Sequence, residues 1–491
     1  MKLWTNGVFH TLENETKTYR SCVTHHGHIL SFNQDDYKAY DEIIDLNGAH
    51  VYPGFVDAHL HILGYGEKLN QVSLKNVGNK QEAIHLITTY VHQGYITFYG
   101  LEGDYIDKHD LNLISKDKPI IIKYHDYHAY IVNDYVLKTC QLANENNTLT
   151  LEDMIKVNKR FLSYTRHDLT QLINQAIQSL YQYGITGGHS DDLHYFNGYD
   201  ETLHAFKDSL KQYPFRTQLL IHHLELDKHI QANDPFLNID QFLQLGPIKV
   251  FYDGTLSSKT ALINDNYKNS HSNGSREHTI KNFIKLVKKA RSFNRPLAIH
   301  VIGDQALDEL LDILKTYPPT QGQFDRLIHA SCISKKALAQ LQDMAITIDI
   351  QPQFIDSDFP KSFNLFSKNP DYIYPFKSLL NKGITLCGSS DAPVETPNPL
   401  LGMYHAMHRN GLNAFKDNDL EKLSAYEALK LYTTYANIPT YHHNNRGYLK
   451  VGYIADFTIF KKDLLTIDVK NYLTLKPYMT VINEQIVYKK D

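Results

Sequence analysis

Short apolar runs recur through the middle of the chain, and several are followed by segments whose apolar positions repeat with helical period. The runs are Phe55 to Leu60, Ile185 to His189, Thr217 to Leu224, Ile248 to Tyr252, Leu297 to Ile302, Leu327 to Ala330, Ile346 to Ile350 and Thr385 to Gly388. Runs of this length, rich in Ile, Val and Leu, read as strands buried on both faces. Between them, Asp304 to Leu314 places Leu307, Leu310, Leu311 and Leu314 on one helical face, with Asp304 in the N-cap position. Eight such strands alternating with helices predict an α/β fold of the (β/α)8 TIM-barrel type.

The ends of the chain have a different texture. Lys2 to Thr5, Val8 to Thr11, Ser21 to Thr24 and His28 to Ser31 alternate with turn residues, and Asn6-Gly7 is a strong hairpin signal. Gly447 to Phe460 and Tyr478 to Tyr488 repeat that pattern. The expectation is one β-sandwich built from both termini, residues 1–52 and 445–491, around a barrel over 53–444. The gap between the first two barrel strands is too long for a loop, so an inserted segment is expected over roughly 65–165. It is polar and rich in Tyr and His, and an insertion there would lie over the barrel mouth and help line a pocket.

Composition narrows the partners. Fifty basic side chains against 54 acidic leave a formal charge of −4, which gives no field suited to nucleic acid or an anionic membrane. No apolar run approaches the roughly 18 residues of a membrane helix. The N-terminus lacks a charged head and apolar run, and Cys22, Cys140, Cys332 and Cys387 are scattered, so a cytoplasmic protein with reduced thiols and a small-molecule substrate is expected.

The candidate chemistry begins at Val51-Tyr-Pro-Gly-Phe-Val-Asp-Ala-His-Leu-His61. Side chains at i and i+2 of a strand share a face, so His59 and His61 can grip one cation. The pair alone proves little: with 27 His in the chain, chance gives about 1.5 such spacings, and a second pair, His26 and His28, has no comparable company. Position decides the matter. In a barrel, functional residues gather at the C-terminal ends of strands. His59 and His61 end the first strand, Lys249 lies in the fourth, His300 in the fifth, His329 ends the sixth, and Asp391 follows the eighth. A lysine in a buried strand needs a partner, such as Asp253, or has its pKa lowered enough to react with carbon dioxide and become a bridging anionic ligand.

These pieces make the chain recognisable. Pro53-Gly-Phe-Val-Asp-Ala-His-Leu-His61, Lys249 to Gly254, His300-Val-Ile-Gly-Asp304, His329-Ala330, Gln351-Pro-Gln-Phe354, Gly388-Ser-Ser-Asp-Ala-Pro-Val394 and Gly452-Tyr-Ile-Ala-Asp456 occur in order. Together with His128-Ala-Tyr-Ile-Val-Asn133, they resemble the amidohydrolase superfamily, in the family 3 branch that includes N-substituted formamide deformylases. The resemblance implies that His59 and His61 bind one divalent metal and His300 and His329 another. It also implies a carboxylated Lys249 as bridge and Asp391 as ligand and general base, then acid. Zn is the first choice of metal, one or two ions per site being open. Two positions depart from the pattern: Ile328 stands where the branch has an acidic residue, and Gly-Ser-Ser-Asp carries one serine more.

The activity implied is hydrolysis of a non-peptide amide bond, with N-formyl or other N-acyl amines as the leading class. Ring opening of a cyclic amide or ureide, deamination on the same site, and a non-catalytic barrel used for binding or assembly are the alternatives. His128, Tyr252, Asp253 and Phe354 are the candidate substrate contacts, with Tyr127 and Tyr130 as further aromatic candidates. A homodimer is a superfamily-level expectation.

Overall fold

The computed structural model describes residues 1–33, 40–75, 77–101, 103–124, 129–142, 148–149 and 151–490. The chain divides into two compact units, one of Met1–Ile62 with Ile177–Asp491 and one of Leu63–Ala176.

The larger unit contains the barrel. Its strands are β1 (Phe55–Leu60), β2 (Ile185–Ser190), β3 (Arg216–His222), β4 (Leu243–Phe251), β5 (Leu297–Val301), β6 (Asp325–His329), β7 (Ile346–Ile350) and β8 (Thr385–Gly388). They pair in parallel and in chain order from β1 to β8. Between β8 and β1 the ladder gives way to single bonds just past the strand ends: Asp391 N–H donates to His59 O (2.8 Å) and His61 N–H to Ala392 O (2.7 Å). The barrel is therefore nearly closed, and its seam runs through the segment that carries the candidate ligands.

All eight strands are buried along their whole length or all but one residue, as expected where helices cover one face and the barrel interior the other. The interior is polar below the site. Arg326 of β6 is fully buried and donates from Nε and Nη2 to Asp349 Oδ2 (2.9 and 2.7 Å), and from Nη1 to Gln218 Oε1 (2.8 Å). It also donates to Ala58 O (2.6 Å), so one side chain spans β1, β3, β6 and β7. The helix after β5 covers Asp304–Thr316, and Leu307, Leu310, Leu311 and Leu314 are buried as the period predicts. Its N-cap is Gly303, not Asp304, which is the first helical residue and accepts instead from Asn264 N (2.9 Å) and Nδ2 (2.8 Å).

Both chain ends build the β-sandwich of this unit. One sheet has four strands, in the order His28–Phe32, Cys22–His25, Lys2–Thr5 and Glu42–Asp45. The other has six, and His50–Pro53 sits between Val8–His10 and Phe457–Phe460. Trp4, Phe9, Val51, Phe457, Ile459 and Val481 fill the space between them.

The smaller unit is an α/β assembly. Val72–Ser73, Thr97–Leu101 and Ile121–Tyr124 pair in parallel, and Tyr130–Val132 adds antiparallel to the last. Its core includes Ile87, Phe98, Leu111, Ile122 and Ile131. Lys123 is 3 % exposed and held by Glu67 (2.9 Å), which also accepts from the Tyr164 hydroxyl (2.8 Å). His128 and Tyr127 lie outside the described residues.

Candidate metal centre

Parallel strands end in register, so residues at the C-terminal ends of β1, β4, β5 and β6 meet at one mouth. His59 and His61 point to the same side of β1, as the period of two requires. Asp391 follows β8 with φ 56°, a left-handed turn that swings its carboxylate toward them. His59 Nε2 and His61 Nε2 lie 3.4 and 3.5 Å from Asp391 Oδ1. These three donors, all within 4.8 Å of one another, form a group able to hold a metal ion. Two ligands each about 2.1 Å from one ion at a tetrahedral angle stand about 3.4 Å apart, so the donor set fits a Zn-like cation.

Neighbouring bonds decide which ring nitrogens face the site. His61 Nδ1 donates to Asp191 O (2.8 Å), which leaves Nε2 toward Asp391. His329 Nδ1 donates to Gln351 Oε1 (2.7 Å), whose amide in turn donates to Ser389 Oγ (2.9 Å). His329 therefore offers Nε2, and its ring packs against His59 (6.1 Å) and His300 (4.6 Å). His300 Nε2 itself lies 3.2 Å from Gly254 O. The structure thus gathers His59, His61 and Asp391 into one group and sets His329 and His300 beside it.

Lys249 is 1 % exposed on β4. Its Nζ is 3.2 Å from Asp191 Oδ2 and 3.4 Å from His59 Nε2, and sits 4.6 Å from the centre of the Phe251 ring. The partner is therefore Asp191, not Asp253. Asp253 is spent elsewhere: it accepts backbone N–H bonds from Leu262 (2.9 Å), Ile302 (3.0 Å) and Gly303 (2.9 Å) and pins the loop after β4. Tyr252 is likewise a structural residue, its hydroxyl on Glu309 (2.8 Å) and its ring edge-on to Phe283 (4.9 Å). The inward neighbour is Phe251, 5.1 Å from the His300 ring, because strand side chains alternate. Phe354 does face the site, stacked 6.0 Å from His329. Tyr130 is buried in the core of the smaller unit, while His28 is exposed, with its Nδ1 on His26 O (3.0 Å).

Asp191 and Tyr195 were not singled out from sequence. Asp191 follows β2 directly, so the strand-end rule applied to Ser190-Asp191-Asp192 finds it. The Tyr195 hydroxyl donates to Asp191 Oδ2 (3.1 Å), and its ring lies 5.8 Å from His61 and 5.5 Å from His222.

Charge follows this geometry. Burial alone would raise the Asp391 carboxyl, but the His61 hydrogen bond and the His329, His61 and Lys249 charges hold it below the usual carboxylate range. Burial pulls His61 down, and the Asp391 bond with the Asp191, Asp391 and Asp192 charges overcomes it, pushing His61 up to about 9. Burial and the Lys249 charge keep His59 neutral, well below the ordinary imidazole value, and burial likewise takes His329 to about 4.

A second group, His10, His50 and Asp463, lies in the β-sandwich. There His10 Nε2 and His50 Nδ1 are hydrogen-bonded to each other (3.0 Å), and Asp463 Oδ1 accepts from the Tyr52 hydroxyl (2.7 Å) and Leu465 N–H (2.9 Å). The two imidazoles are thus engaged with each other and the carboxylate with Tyr52 and Leu465.

The model of the amidohydrolase family matches residues 42–488. The chain is 33 % identical to YtcJ of Bacillus subtilis, an amidohydrolase by name, over 91 % of each chain. It is 21 % identical to the N-substituted formamide deformylase of Arthrobacter pascens, over 86 % of this chain and 85 % of that one. Among solved structures, an uncharacterized metal-dependent hydrolase from Pyrococcus horikoshii superposes with TM-score 0.83 at 24 % identity, covering 96 % of this chain and 99 % of that one. The atrazine chlorohydrolase TrzN from Arthrobacter aurescens, solved with zinc, superposes with TM-score 0.61 at 12 % identity, covering 100 % and 95 %.

Proposed function

The chain belongs to the amidohydrolase family, and from that premise we propose that it hydrolyses a carbon–nitrogen bond of a non-peptide amide, with N-formyl or other N-acyl amines as the leading substrates. The observation that carries this reading is the Asp391 carboxylate, held within 3.5 Å of two imidazole nitrogens at the barrel mouth. His59, His61 and Asp391 would hold one divalent ion, Zn by preference, and His329 with His300 would stand ready for a second. A bound ion would polarise the substrate carbonyl and make water nucleophilic at neutral pH.

The protein's own groups supply the remaining steps. Asp391, kept ionised by its neighbours, takes the proton of the attacking water at a carboxylate oxygen and returns it to the departing amine. Gln351 holds His329 in one tautomer, and the Asp191 carbonyl does the same for His61. Lys249, whose carboxylation would supply a bridging ligand, stands between Asp191 and His59. Phe251, Phe354 and Tyr195 around the imidazoles favour an apolar or aromatic N-substituent. The free cysteines fit a reducing compartment, the cytoplasm, and no helix among the described residues is long and apolar enough to cross a membrane.

The test is metal analysis of the purified protein joined to a panel of N-formyl amines, N-acyl amines, cyclic amides and ureides, and aminated nucleobases. Turnover of the first two classes, lost on chelation and restored by Zn, is the expected result. Turnover confined to cyclic substrates or nucleobases reassigns the reaction, and a metal-loaded protein that turns over none of them points to the binding role.

A further inference from the structure

At the N-terminal ends of β1, β2 and β3, opposite the candidate metal centre, lies a small cavity of about 20 Å³ lined by Gly54, Thr186, Arg216, Arg446, Gly447 and Asp456 among others. Two guanidinium groups share it with one carboxylate. That carboxylate is fully used by Arg216: Nε donates to Asp456 Oδ2 (2.9 Å) and Nη2 to Oδ1 (3.0 Å), with Asn483 N–H on Oδ1 as well (2.8 Å). Arg216 also reaches Gln241 O (3.1 Å) and Asn483 Oδ1 (2.7 Å), so its donors are satisfied.

Arg446 is not. Its Nε is buried with no partner, and its contact to Gln241 O is long at 3.5 Å. Among the described residues no ion pair joins it. The one carboxylate in reach, Asp456, is already engaged by Arg216, so the Arg446 charge is left incompletely compensated. Burial, with the neighbouring Arg216 charge, draws the Arg446 guanidinium down to about 9, although Asp456 opposes the shift. His442, the other titratable group beside Arg446, is kept neutral by burial and supplies no negative charge.

We propose that this cavity binds one small monovalent anion of the chloride class, held by Arg446. Roughly 10–15 Å³ suffices for one water-sized sphere, so the cavity's 20 Å³ admits a halide ion. The lining brings together β1 to β3 of the barrel (Thr186, Arg216) and the returning C-terminal segment (Arg446, Asp456), so the anion would brace the junction of barrel and sandwich. The site is independent of the proposed reaction.

The experiment compares thermal unfolding of the full-length, metal-loaded protein in sodium chloride, sodium bromide and sodium gluconate at equal ionic strength. Binding to the folded state predicts a saturating rise of about 2 °C in the two halides over gluconate. Arg446→Gln is expected to abolish that difference. Equal midpoints in all three salts, the result if the cavity holds water, overturn the proposal, as does a halide effect that Arg446→Gln leaves intact. Should the variant fail to fold, crystals of the unaltered protein soaked in bromide decide the matter. An anomalous peak beside Arg446 Nε supports the site, and its absence overturns it.

Discussion

Ser390 donates its hydroxyl to Asp57 Oδ2 at 2.6 Å and its backbone N–H to Oδ1 at 3.1 Å. Asp57 lies two residues before His59 and Ser390 one before Asp391, so this pair of hydrogen bonds fixes two candidate ligands against each other across the barrel seam. Ser390→Ala is expected to lower kcat about tenfold with little change in KM, since misplacing a reacting group by a fraction of an ångström costs rate more than binding. Steady-state kinetics on the best substrate of the panel check this, and an unchanged kcat would mean that backbone bonds alone suffice.

Asp391→Asn removes the proton acceptor and keeps the side-chain shape. Loss of about 10²- to 10⁴-fold in kcat is expected, with the melting temperature preserved. Near-normal turnover would move the base elsewhere, Asp191 being the next carboxylate.

His61 carries a proton in the metal-free protein up to about pH 9, so a cation must displace it. Metal affinity is therefore expected to rise about tenfold per pH unit below 9 and to level off above it. Calorimetry in buffers of different ionisation enthalpy reads the proton released. Release of none at pH 7 would show that His61 is already neutral.

Lys249 and Asp191 are both buried, at 1 % and 0 % side-chain exposure, and 3.2 Å apart. Asp191→Asn strands the ammonium and is expected to destabilise the fold by about 3–5 kcal/mol, read by denaturant titration. Lys249→Ala is expected to lose metal, with partial recovery in buffers holding small carboxylic acids. Unchanged metal content would make Lys249 purely structural.

Much of the barrel was legible because each strand is a continuous apolar run, and both-face burial leaves little ambiguity of period. Phe55–Leu60, Ile346–Ile350 and Thr385–Gly388 stand as expected, and the ends of the other five strands shift by up to five residues, as at Leu243–Phe251, where Leu243 to Pro247 precede the expected start. The convergence of His59, His61 and Asp391 was legible for the same reason: in a parallel barrel, a position at a strand end is a position in space. Tyr252 bonds to Glu309 instead of facing the imidazoles, and alternation places Phe251 beside His300. Arg326 was not legible as a buried residue, since its partners, Ala58, Gln218 and Asp349, come from strands far apart in sequence. Nor was the α/β order of the inserted unit, whose short parallel strands are diluted by polar residues. The extra serine of Gly-Ser-Ser-Asp has a structural use that only the fold reveals, since Ser390 bonds to Asp57 across the seam.

The six-stranded sheet places His50–Pro53, made early, between Val8–His10 and Phe457–Phe460. During synthesis His50–Pro53 must wait some four hundred residues for Phe457–Phe460 to emerge before that sheet can close. Until then Phe9 and Val51 lack the cover of Phe457 and Ile459, a sticky edge that persists through translation. A nascent chain stalled before residue 457 should therefore be a preferred client of chaperones.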